Sequence, residues 1–180
     1  MSRNEFAVFI NGSYGVGKSS ALDHVADLMA AARRPFSVMD VDWFHRSWPP
    51  AAEDPANVLT EAKNMSAVWQ NYRATGTRNL VVSGVIASIR DQARYAEAFD
   101  LRIRSVRLVA SEEVTRMRLA ARYSNDQGLS LDWHLERFQE LSESIAQAGL
   151  DELVIDTSLL SPAAVAESIC EHFDLVGQVS

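Results

Sequence analysis

Short apolar runs alternate along the chain with segments in which apolar residues recur every three or four positions. Residues 6–10 form one continuous apolar run, which is typical of a parallel strand buried on both faces. Helical spacing follows at Leu22, Val25 and Met29, and Pro35 marks the end of that helix. Four further apolar runs predict the remaining strands, at residues 36–41, 80–82, 105–109 and 153–155.

The segments between the strands predict helices and two loops. Residues 58–74 have a helical period, whereas residues 43–57 contain prolines, show no clear period and predict a loop. Residues 123–130 are polar and are expected to form a short mobile lid. Ser111 and Ser161 stand immediately before helical segments and are expected to cap them.

Strands that alternate with helices predict an α/β protein with three layers. We expect a five-stranded, mostly parallel sheet with helices on both faces and right-handed crossovers. Ligands of such sheets bind beyond the carboxyl ends of the strands. The length of 180 residues fits a single domain over residues 1–180.

Composition and charge narrow the range of partners. The formal net charge is −7, which argues against sequence-independent binding of nucleic acid, because that affinity comes from neutralising phosphates. The single cysteine, Cys170, can form neither an intramolecular disulfide nor a Cys-rich metal site. The sequence has no apolar run of about 20 residues and no secretory h-region at its start, so we expect a cytoplasmic protein without membrane contacts.

The chemistry is concentrated in the sequence GSYGVGKS at residues 12–19, which fits the pattern G-x-x-x-x-G-K-[ST]. Glycines allow successive backbone N–H groups to turn toward an anion, and the following helix adds its positive dipole end. Lys18 is expected on the β- and γ-phosphates of a nucleotide, and the Ser19 hydroxyl on Mg²⁺. The expected phosphate-binding residues are Gly12, Ser13, Tyr14, Gly15, Val16, Gly17, Lys18, Ser19 and Ser20.

The chain resembles the small P-loop kinases of metabolites, such as shikimate kinase, gluconate kinase, adenylylsulfate kinase and chloramphenicol phosphotransferase. The resemblance rests on the phosphate loop and on three further blocks, at residues 40–42, 118–122 and 154–157. It implies a P-loop NTPase fold and an ATP-dependent transfer of the γ-phosphoryl group to a hydroxyl of a small metabolite or antibiotic. ATP and Mg²⁺ are the implied cofactors.

The resemblance implies a role for an acid at the end of the second strand. Asp40 and Asp42 alternate along a strand, so we expect their side chains to point to opposite faces. By resemblance, Asp42 lies beside the acceptor hydroxyl or the waters of Mg²⁺ and acts as the base that orients the hydroxyl. Asp40 remains a lesser candidate for the metal shell.

Two arginines and a threonine complete the implied nucleotide site. Arg118 and Arg122 are four residues apart, and therefore share one face of the predicted helix. By resemblance, Arg118 flanks the adenine and Arg122 reaches from the lid toward the transferred phosphoryl group. Thr157 resembles a residue of the loop on the adenine side. The catalytic set is therefore Lys18, Asp42 and Arg122.

The part of the site that would bind the phosphoryl acceptor is expected within residues 43–75, but its individual residues are harder to identify from the sequence. Arg46, Trp69 and Arg73 would suit a substrate with an apolar body and polar or anionic groups, and are the predicted acceptor-binding residues beside Asp42. The helical spacing of Trp69 is more typical of a core position, and His45 is more typical of the surface of a loop than of a catalytic residue.

One departure from the P-loop pattern leaves alternative functions open. The third strand ends in Val82-Ser83-Gly84, where a Walker-B acid would stand. Besides a small-molecule kinase, the sequence is consistent with a nucleoside or nucleotide kinase, or with a regulatory switch that binds ATP or GTP without turnover. A monomer and a homodimer are both compatible with it.

Overall fold

A five-stranded parallel sheet forms the centre of the molecule. The computed structural model describes residues 5–123 and 127–177. The strands are β1 (Phe6–Asn11), β2 (Phe36–Asp40), β3 (Asn79–Gly84), β4 (Arg102–Val109) and β5 (Leu153–Asp156). They lie in the order β2-β3-β1-β4-β5, and every adjacent pair is parallel. The predicted fold class and the five predicted strands are confirmed.

Helices cover both faces of the sheet. They are α1 (Lys18–Ala31), α2 (Val58–Arg73), α3 (Ile89–Phe99), α4 (Glu112–Arg122), α5 (Gly128–Ala148) and α6 (Pro162–His172). As predicted, Ser111 caps α4 by accepting from the backbone N–H of Val114, and Ser161 caps α6 in the same way. None of the helices within the described residues is long and apolar enough to cross a membrane.

Each face of the sheet has its own apolar core. On one face, Val8 and Ile10 of β1 pack with α1 and α6. On the other face, Phe9 packs with Tyr95 of α3 and Met65 of α2. Because alternate residues of β1 point to opposite faces, this central strand is buried almost completely and holds the phosphate loop at its carboxyl end.

Two predicted boundaries differ from the structure. The second strand ends at Asp40, and the chain turns at once into a short 3-10 helix, Val41–Trp43. The last three residues of the segment 123–130, predicted as a lid, are helical, because α5 already begins at Gly128. Residues 124–126 of that segment lie outside the described part of the chain.

Candidate nucleotide and acceptor site

The phosphate loop connects β1 directly to α1, and its backbone requires glycine. Gly12 has a φ of 150°, and a Cβ atom at this position would lie 2.7 Å from the carbonyl oxygen of Leu108. Gly17 has a φ of 96° and immediately precedes the first residue of α1. The loop can therefore present backbone N–H groups and the amino end of a helix to an anion, as the motif predicts.

Lys18 lies inside this loop. Its Nζ atom donates to the carbonyl oxygens of Gly12 and Ser13, both at 2.8 Å. Burial lowers the pKa of Lys18 to about 8, although the carboxylates of Asp42 and Asp40 act in the opposite direction. An incoming polyphosphate would supply the opposite charge that the buried ammonium lacks.

Asp40 and Asp42 line the same cavity, so the prediction that they point to opposite faces is wrong. The 3-10 helix after Asp40 breaks the two-residue alternation of the strand. Asp40 accepts a hydrogen bond from the Ser19 hydroxyl at 2.8 Å and another from the backbone N–H of Asp42 at 3.0 Å. The Asp42 carboxylate makes no hydrogen bond or ion pair with any described residue and is exposed at the cavity.

Arg118 and Thr157 hold the phosphate loop from the side of α4 and β5. The Thr157 hydroxyl donates to the carbonyl oxygen of Val16 at 2.9 Å. Arg118 donates to the Thr157 hydroxyl at 2.9 Å and to its carbonyl oxygen at 2.8 Å. Thr157 is almost fully buried, and Arg118 lines the cavity. The two predicted residues are thus brought together beside the loop.

The long helix α5 forms a wall of the site that the sequence did not indicate. Ser13 donates from its hydroxyl to the carbonyl oxygen of Phe138 in α5, at 2.6 Å. The ring of Tyr14 meets His134 edge-on at 4.6 Å between ring centroids, and burial raises the pKa of Tyr14. His134 lines the cavity with Arg122. Nothing in the spacing of the helix marks this histidine.

One cavity of about 520 Å³ collects most of these residues. One wall is apolar and is formed by α6 and the loop before it, through Leu160, Pro162 and Val165. The predicted residues that line the cavity are Tyr14, Gly15, Val16, Gly17, Lys18, Ser19, Ser20, Asp40, Asp42, Arg118, Arg122 and Thr157. This volume is within the range of small-molecule sites.

The predicted acceptor residues on α2 lie elsewhere, and their assignment to the site is wrong. Trp69 is buried in the core, where its indole N–H donates to the carbonyl oxygen of Phe99 at 3.1 Å. Arg73 ends α2 near Asp100, at the amino ends of the strands. The reason is the direction of α2, which starts at the carboxyl edge of the sheet and runs away from it. Arg46 lies over the exposed ring of Trp43, at 5.1 Å.

The loop after Asp42 is held against the start of α2 by a buried carboxylate. Glu61 accepts a hydrogen bond from the Tyr95 hydroxyl at 2.7 Å, and its other oxygen lies 3.1 Å from His45 Nδ1. Burial, followed by the charge of Glu61, raises the pKa of Tyr95. Asn57 donates to the carbonyl oxygens of His45 and Ser47, at 2.9 and 3.0 Å. These contacts fix the segment that leads away from Asp42.

The end of β3 has a serine where a Walker-B acid would stand. Ser83 is fully buried, and its hydroxyl oxygen has no hydrogen-bond partner in the described part of the chain. It pairs in register with Asp40 on β2. No group of three or more His, Cys, Asp or Glu residues able to hold a metal occurs within residues 5–123 and 127–177. Ser19 and the two aspartates provide oxygen atoms at the cavity beside the phosphate loop.

The phosphate loop at the end of the central strand, with the order of the parallel sheet, defines a P-loop nucleotide-binding fold. The chain belongs to the Zeta toxin family, whose model matches residues 2–158. No curated protein matches the chain at a significant level.

Solved structures with the same fold extend over nearly the whole chain. A sugar kinase from a Janibacter species has a TM-score of 0.63 at 18% identity and covers 95% of both chains. A gluconokinase from Sinorhizobium meliloti has a TM-score of 0.58 at 18% identity, with 98% of this chain and 100% of the other covered. A tunicamycin resistance protein from Deinococcus radiodurans gives 0.61 at 18% identity, with 94% and 95% covered. The fold inferred from the resemblance to small kinases is confirmed.

Proposed function

We propose that the protein is an ATP-dependent kinase that transfers the γ-phosphoryl group to a hydroxyl of a small molecule. The observation that carries the proposal is the composition of one cavity: a phosphate loop, two carboxylates and two arginines face the same space. Positioning and charge neutralisation are the main demands of phosphoryl transfer, and these residue types meet both. The names of the sugar kinase and gluconokinase with the same fold are consistent with this activity.

The nucleotide would lie along the phosphate loop, with its base toward α6. Backbone N–H groups and Lys18 suit the phosphates, and the apolar wall at Leu160 and Val165 suits a purine. Arg118 is already held by Thr157 at the border between these two regions. A residue fixed in this way loses little freedom when the nucleotide binds.

The residues beside the loop also fit a magnesium ion bound with the nucleotide. Mg²⁺ prefers oxygen ligands, and the Ser19 hydroxyl and Asp40 carboxylate lie 2.8 Å apart at the start of α1. When bound, Mg²⁺ would neutralise charge on the β- and γ-phosphates. Asp40 would orient the Ser19 hydroxyl and hold the 3-10 helix that carries Asp42.

Asp42 would accept the proton of the acceptor hydroxyl. Its carboxylate is exposed in the cavity and makes no hydrogen bond or ion pair with the described residues, so it is available to a ligand. As the acceptor oxygen bonds to the γ-phosphorus, the bond to the β-phosphate oxygen breaks, and ADP and a phosphorylated acceptor result. Arg122, which lines the same cavity, would neutralise charge on the transferred group.

A panel of acceptors tests the activity directly. ADP release is measured with Mg²⁺, ATP and sugars, sugar acids, nucleosides, nucleotides, aminocyclitols or antibiotics, one at a time. We expect one class to raise ADP release well above hydrolysis, and its phosphorylated product to be visible by mass spectrometry. Asp42→Asn should abolish this increase, whereas Asp27→Asn on the exposed face of α1 should retain it. Tight ATP binding without transfer to any acceptor would contradict the proposal and favour a regulatory binder.

A further inference from the structure

A second cavity lies at the opposite end of the sheet from the phosphate loop. Its volume is about 660 Å³, and it is bordered by Phe6, Asn79 and Arg102, which begin β1, β3 and β4. Along β1, the two ends of the sheet are separated by roughly 17 Å, at ~3.3 Å per residue. The cavity is therefore distinct from the candidate nucleotide site.

Arginines dominate this cavity in a protein that is acidic as a whole. They come from the turn before β2, the end of α2, the turn before β3 and the start of β4: Arg34, Arg73, Arg78, Arg102 and Arg104. Among the residues that the structure describes, Glu5 and Asp174 are the carboxylate residues that line it with them. In the whole chain, 24 acidic residues outnumber 17 basic ones and give a formal net charge of −7. The amino end of the sheet thus concentrates positive charge locally.

Three of the five guanidinium groups form no ion pair with a carboxylate of the described residues, although the charge of Arg102 contributes, after Arg104, to the lowered pKa of Glu152. Arg34 donates to the carbonyl oxygen of Val176, and Arg78 donates to Gly76 and to hydroxyl groups. Arg102 is exposed and makes neither a hydrogen bond nor an ion pair with the described residues. Like charges held around one cavity repel one another, and an anion placed between them would remove that repulsion.

The other two arginines, Arg104 and Arg73, line the cavity but already contact carboxylates. Arg104 forms a two-pronged ion pair with Glu152 and lies over the ring of Phe6 at 4.7 Å, so its charge is already compensated. Arg73 is 3.9 Å from the highly exposed Asp100, an ion pair that contributes little in water. The cavity therefore combines an aromatic border with three guanidinium groups whose charge is not compensated by an ion pair within the described residues.

We propose that this cavity is a second anion site, which binds a small organic molecule carrying two or more phosphate groups. The guanidinium group is planar, is always charged and binds phosphate oxygens in pairs. A lysine ammonium does not form such paired bonds, and no lysine is among the described residues that line this cavity. Guanidinium groups that form no ion pair and come from three separate parts of the chain suit several charges on one ligand. A concave space of this size suits a small molecule rather than an extended acidic peptide.

Inorganic tripolyphosphate is the probe that separates the two anion sites. Binding is measured by calorimetry without Mg²⁺, and the native protein should bind two equivalents. Lys18→Ala should lose the equivalent at the phosphate loop and retain the other. The double variant Arg78→Gln/Arg102→Gln should retain the phosphate-loop equivalent, and should weaken the other at least tenfold. Arg102→Gln alone removes no hydrogen bond and should weaken it about threefold.

A control with the same loss of charge distinguishes a built site from a general effect of net charge. Lys63→Gln/Arg90→Gln changes two exposed residues that line neither cavity and should leave both affinities within about twofold. A single equivalent that disappears in Lys18→Ala would overturn the proposal. So would a second equivalent that is unaffected by Arg78→Gln/Arg102→Gln, or a glutamate hexapeptide that binds there more tightly than tripolyphosphate. The test requires no phosphoryl transfer, so its outcome is independent of the proposed kinase activity.

Discussion

The Ser19 hydroxyl donates a 2.8 Å hydrogen bond to Asp40, and thereby joins the first turn of α1 to the end of β2. The same carboxylate receives the backbone N–H of Asp42. One aspartate thus supports the helix start and the neighbouring aspartate remains available to a ligand. This arrangement assigns different roles to two acids that are only two residues apart.

Substitution of the two aspartates should therefore affect different steps. Asp42→Asn should lower kcat by roughly 10²–10⁴-fold, the contribution typical of a positioned proton acceptor, with little change in the Kd for ATP. Asp40→Asn should weaken binding of Mg²⁺ with ATP about tenfold, because the hydrogen bond to Ser19 is altered. Steady-state kinetics and calorimetry separate the two effects. Equal losses of kcat and of nucleotide affinity in both variants would contradict this division.

Nucleotide affinity should fall as the pH rises above about 8, the pKa to which burial lowers Lys18. In the free protein the neutral amine becomes populated above this pH, whereas a polyphosphate favours the ammonium form. Binding should therefore take up protons, and the loss of affinity should approach about tenfold per pH unit well above the pKa. Calorimetry at pH 7 to 9.5, in buffers with different ionisation heats, measures this uptake.

Lys18→Arg provides the control for the pH effect. Its guanidinium stays charged throughout the range, so any residual ATP affinity should be independent of pH up to 9.5. A native protein that binds ATP at pH 9 without proton uptake would show that Lys18 is not the titrating group.

Removal of the Thr157 hydroxyl should loosen the phosphate loop. Thr157→Val keeps the shape of the side chain but leaves the Val16 carbonyl and one Arg118 N–H without this partner. We expect a loss of about 1–3 kcal/mol in the free energy of unfolding, and a roughly tenfold rise in the Kd for ATP. Urea unfolding and calorimetry measure these changes. Thr157→Ser retains the hydroxyl and should be much less affected; equal effects would contradict a role for this hydrogen bond.

Glu61 should support the acceptor side without affecting the nucleotide. Glu61→Ala removes the acceptor of the Tyr95 hydroxyl and the contact of His45, and should destabilise the fold by about 2–4 kcal/mol. The KM for the acceptor should rise while the Kd for ATP is unchanged. Glu97→Ala, at an exposed position of α3, is the matched control for a lost carboxylate. A similar weakening of ATP binding would show that Glu61 acts on the whole cleft.

The local parts of the molecule could be predicted because short segments determine them. The phosphate loop needs glycine at specific backbone angles, and Ser111 and Ser161 cap their helices with the residues that follow. The buried strands are recognisable from continuous apolar runs. These features required no knowledge of tertiary contacts.

The features that the sequence did not predict depend on the directions of helices and on contacts between segments that are distant in the chain. The sequence predicts Trp69 and Arg73 at the acceptor site, but the direction of α2 places them toward the other end of the sheet. The alternation expected for Asp40 and Asp42 fails because a 3-10 helix starts between them. His134 reaches the site only because α5 packs across the phosphate loop, through the bond from Ser13 to Phe138.

The bond between Thr157 and Val16 has a consequence for protein engineering. Eight consecutive residues encode the phosphate loop, yet its shape is maintained by a hydroxyl located 141 positions further along the chain. Grafting those eight residues onto another strand and helix would transfer the motif without this support. The eight residues alone are thus not sufficient to keep the shape of the loop in another protein. A shortened chain that ends before β5 would retain the motif but lose the hydrogen bond from Thr157 to Val16.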